Sequence, residues 1–230
     1  MQSQKAYILK IDNPLSEEYA NHCAKSCSQN RIRYDFVNGY QDMFARLAWL
    51  ETGVKLKFDK EYASKEGKVS KGDLASAGHA KIWKMIAEGK EDVGIVLEHD
   101  ALMLHELNIR IPDGTIAVLG YKLQKPNTYL HMMAGPPEGL DPIKGHEGAH
   151  AYAITKKTAQ MLIDEIEEKG RPLGCIDNAY FIRSQRKSKI PLHIVIPTPA
   201  IGWLRESTIW SQSSTRNEAF HPRFKDFLHT

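Results

Sequence analysis

Val93-Gly-Ile-Val-Leu97 is an unbroken apolar run held between Asp92 and Glu98. A run this short, with no polar alternation, reads as a strand covered on both faces. Such a strand needs helices on each side of its sheet, and the neighbouring sequence offers them. Upstream, Asp73 is placed to cap a helix reaching about Glu88, with Leu74, Ala77, Ile82, Met85 and Ile86 on its buried face and Gly89 at its end. Further upstream, Ala6–Ile11 reads as a strand broken by Asp12-Asn13-Pro14. Ser16 then caps a helix over Glu17–Gln29, and Ile32–Val37 forms a second strand ending at Asn38-Gly39. Downstream, Thr115–Leu119, Ala149–Ile154 and Leu192–Ile196 read as strands. Thr155 caps a helix to about Glu168 with a Gly170 stop, and Met43–Trp49 and Ile176–Arg183 read as short helices. Strands alternating with helices predict an α/β fold with a mostly parallel sheet flanked by helices.

Two stretches read as loops: Lys55–Lys71, rich in Lys, Glu and Gly, and Gln124–Gly145, rich in Pro and Gly. The second is long enough to be a functional loop or a plain surface one. From Ser207 onward the chain is polar. The expected organisation is one domain over 1–206 and a polar extension over 207–230 that can face an acceptor.

The first βα turn, Ile11–Glu18, has no glycine, so the Gly-x-Gly-x-x-Gly dinucleotide fingerprint is absent. A phosphate-binding P-loop and a Gly-x-Ser-x-Gly nucleophile elbow are absent as well. Cys23, Cys27 and Cys175 do not form a zinc set, and an odd count without a secretory leader fits a reducing cytoplasm. No apolar run approaches the ~20 residues that span a bilayer, so membrane association is expected to be peripheral. A formal net charge of +3 accommodates an anionic partner without requiring one.

Chemistry concentrates at the end of the apolar run, where Glu98 and Asp100 flank His99. Ligands of open α/β sheets bind beyond the carboxyl ends of strands. Two carboxylates there can hold a hard divalent cation, Mn²⁺ or Mg²⁺, which shares its oxygen ligands with phosphates. They can equally cap a loop or pair with lysines. His99 can add a nitrogen ligand or point elsewhere.

Several segments in order resemble glycosyltransferase family 25, the group of lipopolysaccharide galactosyltransferases and collagen galactosyltransferase domains. Ala6–Ile11 is similar to its opening strand, and Phe36-Val-Asn-Gly39 to its Ala-Val-Asp-Gly turn. Lys71-Gly-Asp-Leu-Ala-Ser-Ala-Gly-His-Ala-Lys-Ile-Trp-Lys84 resembles its Ser-His-x-x-x-Trp helix. Ile95-Val-Leu-Glu-His-Asp-Ala101 resembles its Leu-Glu-Asp-Asp-Ala segment, and Gly148–Thr155 and Cys175-Ile-Asp-Asn178 follow. The departures are His99 for an Asp, Asp73 for a Glu, Gly78 for a Ser, and no Arg-Arg pair after the first strand.

The resemblance implies a GT-A, Rossmann-like nucleotide-diphospho-sugar transferase domain. It implies a UDP-sugar donor, a saccharide or glycolipid acceptor, and transfer with inversion. By it, Asp100 ligates the metal, and Glu98 supports that site or contacts the ribose. Inversion needs a base, for which Asp177 is the candidate, although it can also be a helix cap; Glu147 is the other carboxylate considered. Donor-binding candidates are Asp73, His79, Glu98, His99, Lys122 and Tyr152, the last in a strand with His150. His79 can instead be a hydrogen-bonded helix histidine near Trp83, Asp73 a simple N-cap, and Lys84, Lys122 and Lys125 solvated surface lysines. Trp203, Trp210 and the arginines from Arg205 to Arg216 form an acceptor surface or merely pack. Two other readings stand beside this one: a transferase acting on a modified DNA base, which must be flipped or unpaired, and a non-catalytic nucleotide-sugar-binding module.

Overall fold

The apolar run becomes strand β3 (Val93–Glu98), and its side chains part to both faces as its pattern demands. Val96 enters one core cluster, while Val93, Ile95 and Leu97 enter the other. The computed structural model describes residues 2–57, 71–122, 135–146 and 148–202, apart from the side chains of Tyr121 and Lys122. Most of the first expected loop, half of the second, Glu147, Lys125, Trp203, Trp210 and the whole 207–230 extension lie outside those residues.

Before β3 come β1 (Gln4–Lys10), α1 (Pro14–Gln29), β2 (Tyr34–Asn38), α2 (Ala45–Thr52) and α3 (Lys71–Glu88). After it come β4 (Ala101–Met103), β5 (Ile116–Val118), β6 (Gly120–Lys122), β7 (Gly139–Ile143), β8 (Ala151–Thr155) and α4 (Lys156–Lys169). A single π-helical turn (Asp177–Phe181), β9 (Leu192–Ile196) and β10 (Ala200–Gly202) complete the order.

Seven strands form one sheet in the order β2-β1-β3-β8-β5-β9-β7. The pairs β1–β2, β1–β3 and β5–β9 are parallel, and β8 and β7 run against their neighbours. Thus β2, β1, β3, β5 and β9 all point one way, the mostly parallel sheet expected. A small second sheet, β4-β10-β6, was not anticipated. Its strands have three residues each, too few to display a period.

The helices α2, α3 and α4 pack on one face of the large sheet around Trp49, Trp83, Leu162 and Ile166. On the other face α1 buries Ala20, Cys23, Ala24 and Cys27 against Ile8, Ile95 and Met103. Each such aliphatic side chain taken fully from water contributes about 1.5–3 kcal/mol before chain entropy is counted. The C-terminal turn of α1 also pins β4. The Ser26 hydroxyl accepts from Met103 N at 3.0 Å, and the Asn30 amide donates to Met103 O at 2.9 Å. Gly94 lets α3 press onto β3, since a Cβ there would stand 2.3 Å from Ile86.

Several boundaries differ from expectation. Helix α1 begins at Pro14 and its cap is Asn13, whose side chain accepts from Leu15 N at 2.9 Å. Pro14 suits the first helical position because no N–H is needed there. The Ser16 hydroxyl instead accepts from Ile11 N, closing the turn out of β1. Helix α3 is already formed at Lys71, so Asp73 lies in its first turn, where its charge suits the helix dipole, and is not the cap. Part of the stretch read as a loop before Gly145 is strand β7. The short helix expected over Ile176–Arg183 is the π-helical turn. By contrast, α4 has the Thr155 cap and the left-handed Gly170 terminus that its sequence announced. Among the described residues no helix is long and apolar enough to cross a membrane.

Replacing Asn13 by Ala removes the acceptor for two helix N–H groups. Urea unfolding is expected to report a loss of about 1 kcal/mol, as is usual for a lost N-cap.

Candidate functional site

The parallel strands β1, β2 and β3 all end at the same edge of the sheet, and a cavity of about 570 Å³ opens there. Leu9 and Lys10 line it from β1 with Ile11 just beyond, Gly39–Asp42 follow β2, and Glu98 ends β3 with His99 next to it. The first turns of α3 close the side, with Lys71, Leu74, Ala75 and Gly78. Gly78 lets the helix come close: a Cβ there would lie 3.0 Å from Leu9 Cδ1. Lys10 is held by an ion pair with Glu17 of α1. A larger open cleft of about 1120 Å³ lies at the amino end of β3, beside Asp92, Asp113 and Lys156. It contains none of the candidate residues.

Glu98 faces α3. Its Oε1 lies 3.3 Å from His79 Nε2, with the histidine side chain fully buried and the glutamate 26% exposed. His79 Nδ1 lies 2.8 Å from the Tyr152 hydroxyl, and the Trp83 indole N–H donates to that hydroxyl at 2.7 Å. The His79 and Tyr152 rings stack at 5.8 Å. Tyr152 is fully buried, and burial pushes its hydroxyl well above the usual phenol pKa despite the Trp83 donor. His79 and Tyr152 therefore lie behind Glu98 in the core. A ligand in the cavity meets them through that carboxylate.

His99 and Asp100 form the turn between β3 and β4. His99 stacks on Tyr19 of α1, with ring centroids 6.0 Å apart and an interplanar angle of 20°. Asp100 acts electrostatically on Cys23, also in α1, where burial is the main cause of a raised thiol pKa. Glu98 and Asp100 thus share a strand end, two residues apart. Among the described residues, no three His, Cys, Asp or Glu side chains gather closely enough to hold a metal ion by themselves.

Asp177 opens the π-helical turn after Gly174, whose φ of +131° lies in the region that favours glycine. The position before the turn is Ile176, so Asp177 is not the cap residue. Burial raises the Cys175 thiol pKa, the charges of Asp177 and Glu98 add to the rise, and the Asp177 and Asn178 N–H groups oppose it. The sequence marked Cys175 only as part of a motif.

Asp73 stands in the first turn of α3, between the cavity-lining Lys71 and Leu74. Lys122 lies in β6, opposite Gly202 of β10; its side chain, like Glu147, is outside the description. Lys84 pairs with Glu88 towards the other end of α3. His150 is fully buried, its ring 5.7 Å from that of His146.

No protein-family model matches the chain, and no curated protein matches it in sequence. Solved structures give distant likenesses. The Streptococcus pneumoniae TIGR4 glycosyltransferase GlyE is 12% identical with a TM-score of 0.43, over 91% of this chain and 57% of that one. Its apo form gives 11%, a TM-score of 0.37, and coverage of 73% and 38%. This chain thus spans well under two thirds of the GlyE chains. A glycosyltransferase involved in glycosylation of the major capsid of PBCV-1 is 9% identical with a TM-score of 0.44, over 88% and 94% of the two chains. At scores this low the likeness carries no functional weight.

Gly78→Ala presses on the Leu9 methyl groups, an overpacking cost of about 1 kcal/mol that the helix propensity of Ala offsets by a similar amount, so a thermal melt is expected to stay within about 1 kcal/mol of wild type. Cys23 and Cys27 are buried and Cys175 is part-exposed. A thiol reagent at neutral pH is expected to label Cys175 alone in the native chain, and all three cysteines after unfolding.

Proposed function

We propose that the chain is a metal-dependent glycosyltransferase that moves a sugar from a UDP-sugar to an acceptor hydroxyl with inversion. The acceptor in this reading is a saccharide or a lipid-linked saccharide. One observation carries it: a cavity at the shared carboxyl edge of β1, β2 and β3, with Glu98 in its wall and Asp100 two residues on. That edge is where α/β sheets bind nucleotides. The family 25 resemblance assigns the same segment to the donor.

Glu98 and Asp100 offer oxygen donors only, the set that Mn²⁺ or Mg²⁺ takes, and two carboxylates leave coordination places for diphosphate oxygens and water. Asp100 is the proposed metal ligand, with Glu98 supporting it or meeting the ribose. When bound, the ion supplies Lewis-acid stabilisation of the leaving diphosphate. Lys71, at the start of α3 in the cavity wall, is placed to meet phosphate charge. The acceptor hydroxyl must lose its proton on the side of the sugar away from the diphosphate. Asp177 is the proposed base, and Glu147 is the second candidate. Asp73 and His99 are proposed to border the donor, as is Lys122.

The test is hydrolysis of a panel of UDP-sugars, with and without Mn²⁺, by the wild type and by Asp100→Ala. Transferases commonly leak donor to water. Release of UDP from one donor is expected, falling at least about a hundredfold without metal or with Asp100→Ala, an effect of a few kcal/mol on the transition state. Metal-dependent UDP binding with no release from any donor would leave a binding module. No binding at all would overturn the reading.

A further inference from the structure

The core beneath the cavity contains a line of polar groups that an apolar interior does not need: Trp83 Nε1, the Tyr152 hydroxyl and the His79 ring, ending on Glu98. The direction of each hydrogen bond along this line follows from its chemistry. An indole N–H only donates, so Trp83 occupies one lone pair of the Tyr152 oxygen. Tyr152 is fully buried, and its own hydroxyl proton needs an acceptor. His79 Nδ1, 2.8 Å away, is the acceptor within reach. The proton of the His79 ring therefore sits on Nε2. At the other end, the Glu98 carboxylate accepts and asks for a donor at Nε2, 3.3 Å away. The two ends independently select the same tautomer.

The geometry points to His79 as a positioning residue. Trp83 and Tyr152 hold it in the Nε2–H form, and it donates to Glu98 Oε1, tying that carboxylate to the α3 wall of the cavity. Each member is fixed by packing. Trp83 sits edge-on to Tyr180 at 5.0 Å, Tyr152 leans on Phe181 at 5.3 Å, and all four rings are buried. Glu98 is thus aimed by a chain of three side chains from two helix turns and one strand, and no exposed contact need hold it. The consequence for donor binding rests on the reading of Glu98 as a donor-site residue; the tautomer does not.

Two measurements on the full chain separate those parts. Long-range ¹⁵N–¹H spectra of the histidine rings, with His79 assigned by its loss in His79→Gln, are expected to show the proton on Nε2. In Tyr152→Phe, the Nδ1 resonance is expected to move towards that of an unbonded ring nitrogen. A proton on Nδ1 in the wild type overturns the relay. UDP binding in the presence of Mn²⁺ is then compared in two variants of similar size. His79→Gln places an amide donor where Nε2–H stood and is expected to bind within about threefold of wild type. His79→Leu removes the donor and is expected to bind about tenfold more weakly or worse, as befits loss of a bond to a charged group. Melting curves of the two variants report whether both remain folded. Equal binding by folded Gln and Leu variants overturns the positioning role. If the wild type itself does not bind UDP, the transferase reading falls, and the ring spectra still decide the relay.

Discussion

β3 has a strand on each edge and a core on each face, and that confinement governs the rest of the molecule. A strand so enclosed can carry polar side chains only where it leaves the sheet. Glu98 is that place. Its N–H still bonds to His150 O at 2.9 Å, so the backbone remains in the ladder while the side chain has reached the cavity. The same confinement draws α3 inwards. Gly94 is where β3 meets Ile86 of the helix too closely for a side chain, and Gly78 is where the helix comes close to Leu9 of β1. The cavity wall and the strand end are therefore set by one packing arrangement, in which sheet, helix and carboxylate cannot move separately.

Much of this was legible because the signals are local. The apolar run fixed β3, and the Asn38-Gly39 stop marked the end of β2. Thr155 and Gly170 marked both ends of α4, since caps act within one turn of their own residue. What was not legible depends on partners distant in sequence. That β8 runs against β3 and β5 is decided by the path of the chain between them, which no residue of Ala151–Thr155 records. The strands of the small sheet are defined by each other. The competition between Asn13 and Ser16 for the start of α1 turned on the fixed φ of Pro14 and on a demand from Ile11 N that only the folded turn creates. The site divides in the same way. Glu98 and Asp100 stood out as carboxylates after a buried run. The His79–Tyr152 contact joins residues 73 positions apart.

The placement of polarity around Glu98 and Asp100 argues about purpose. A turn follows Glu98, so the strand alternation that would put Asp100 on its face ends there, and His99 is engaged by Tyr19. The α1 side also buries small polar groups, the Ser16 and Ser26 hydroxyls, each bonded to nearby backbone. The α3 side is different: an indole N–H, a hydroxyl and an imidazole lie fully inside the core. Stability alone does not favour such a path, because each group loses water and regains only one or two bonds, and apolar side chains of similar volume would fill the space without that penalty. The path is satisfied at every internal step and its one outlet is the carboxylate in the cavity wall. A buried network with that single outlet is accounted for by the orientation of Glu98, in the way that supporting hydrogen bonds hold a ligand-binding group within a fraction of an ångström of its working position.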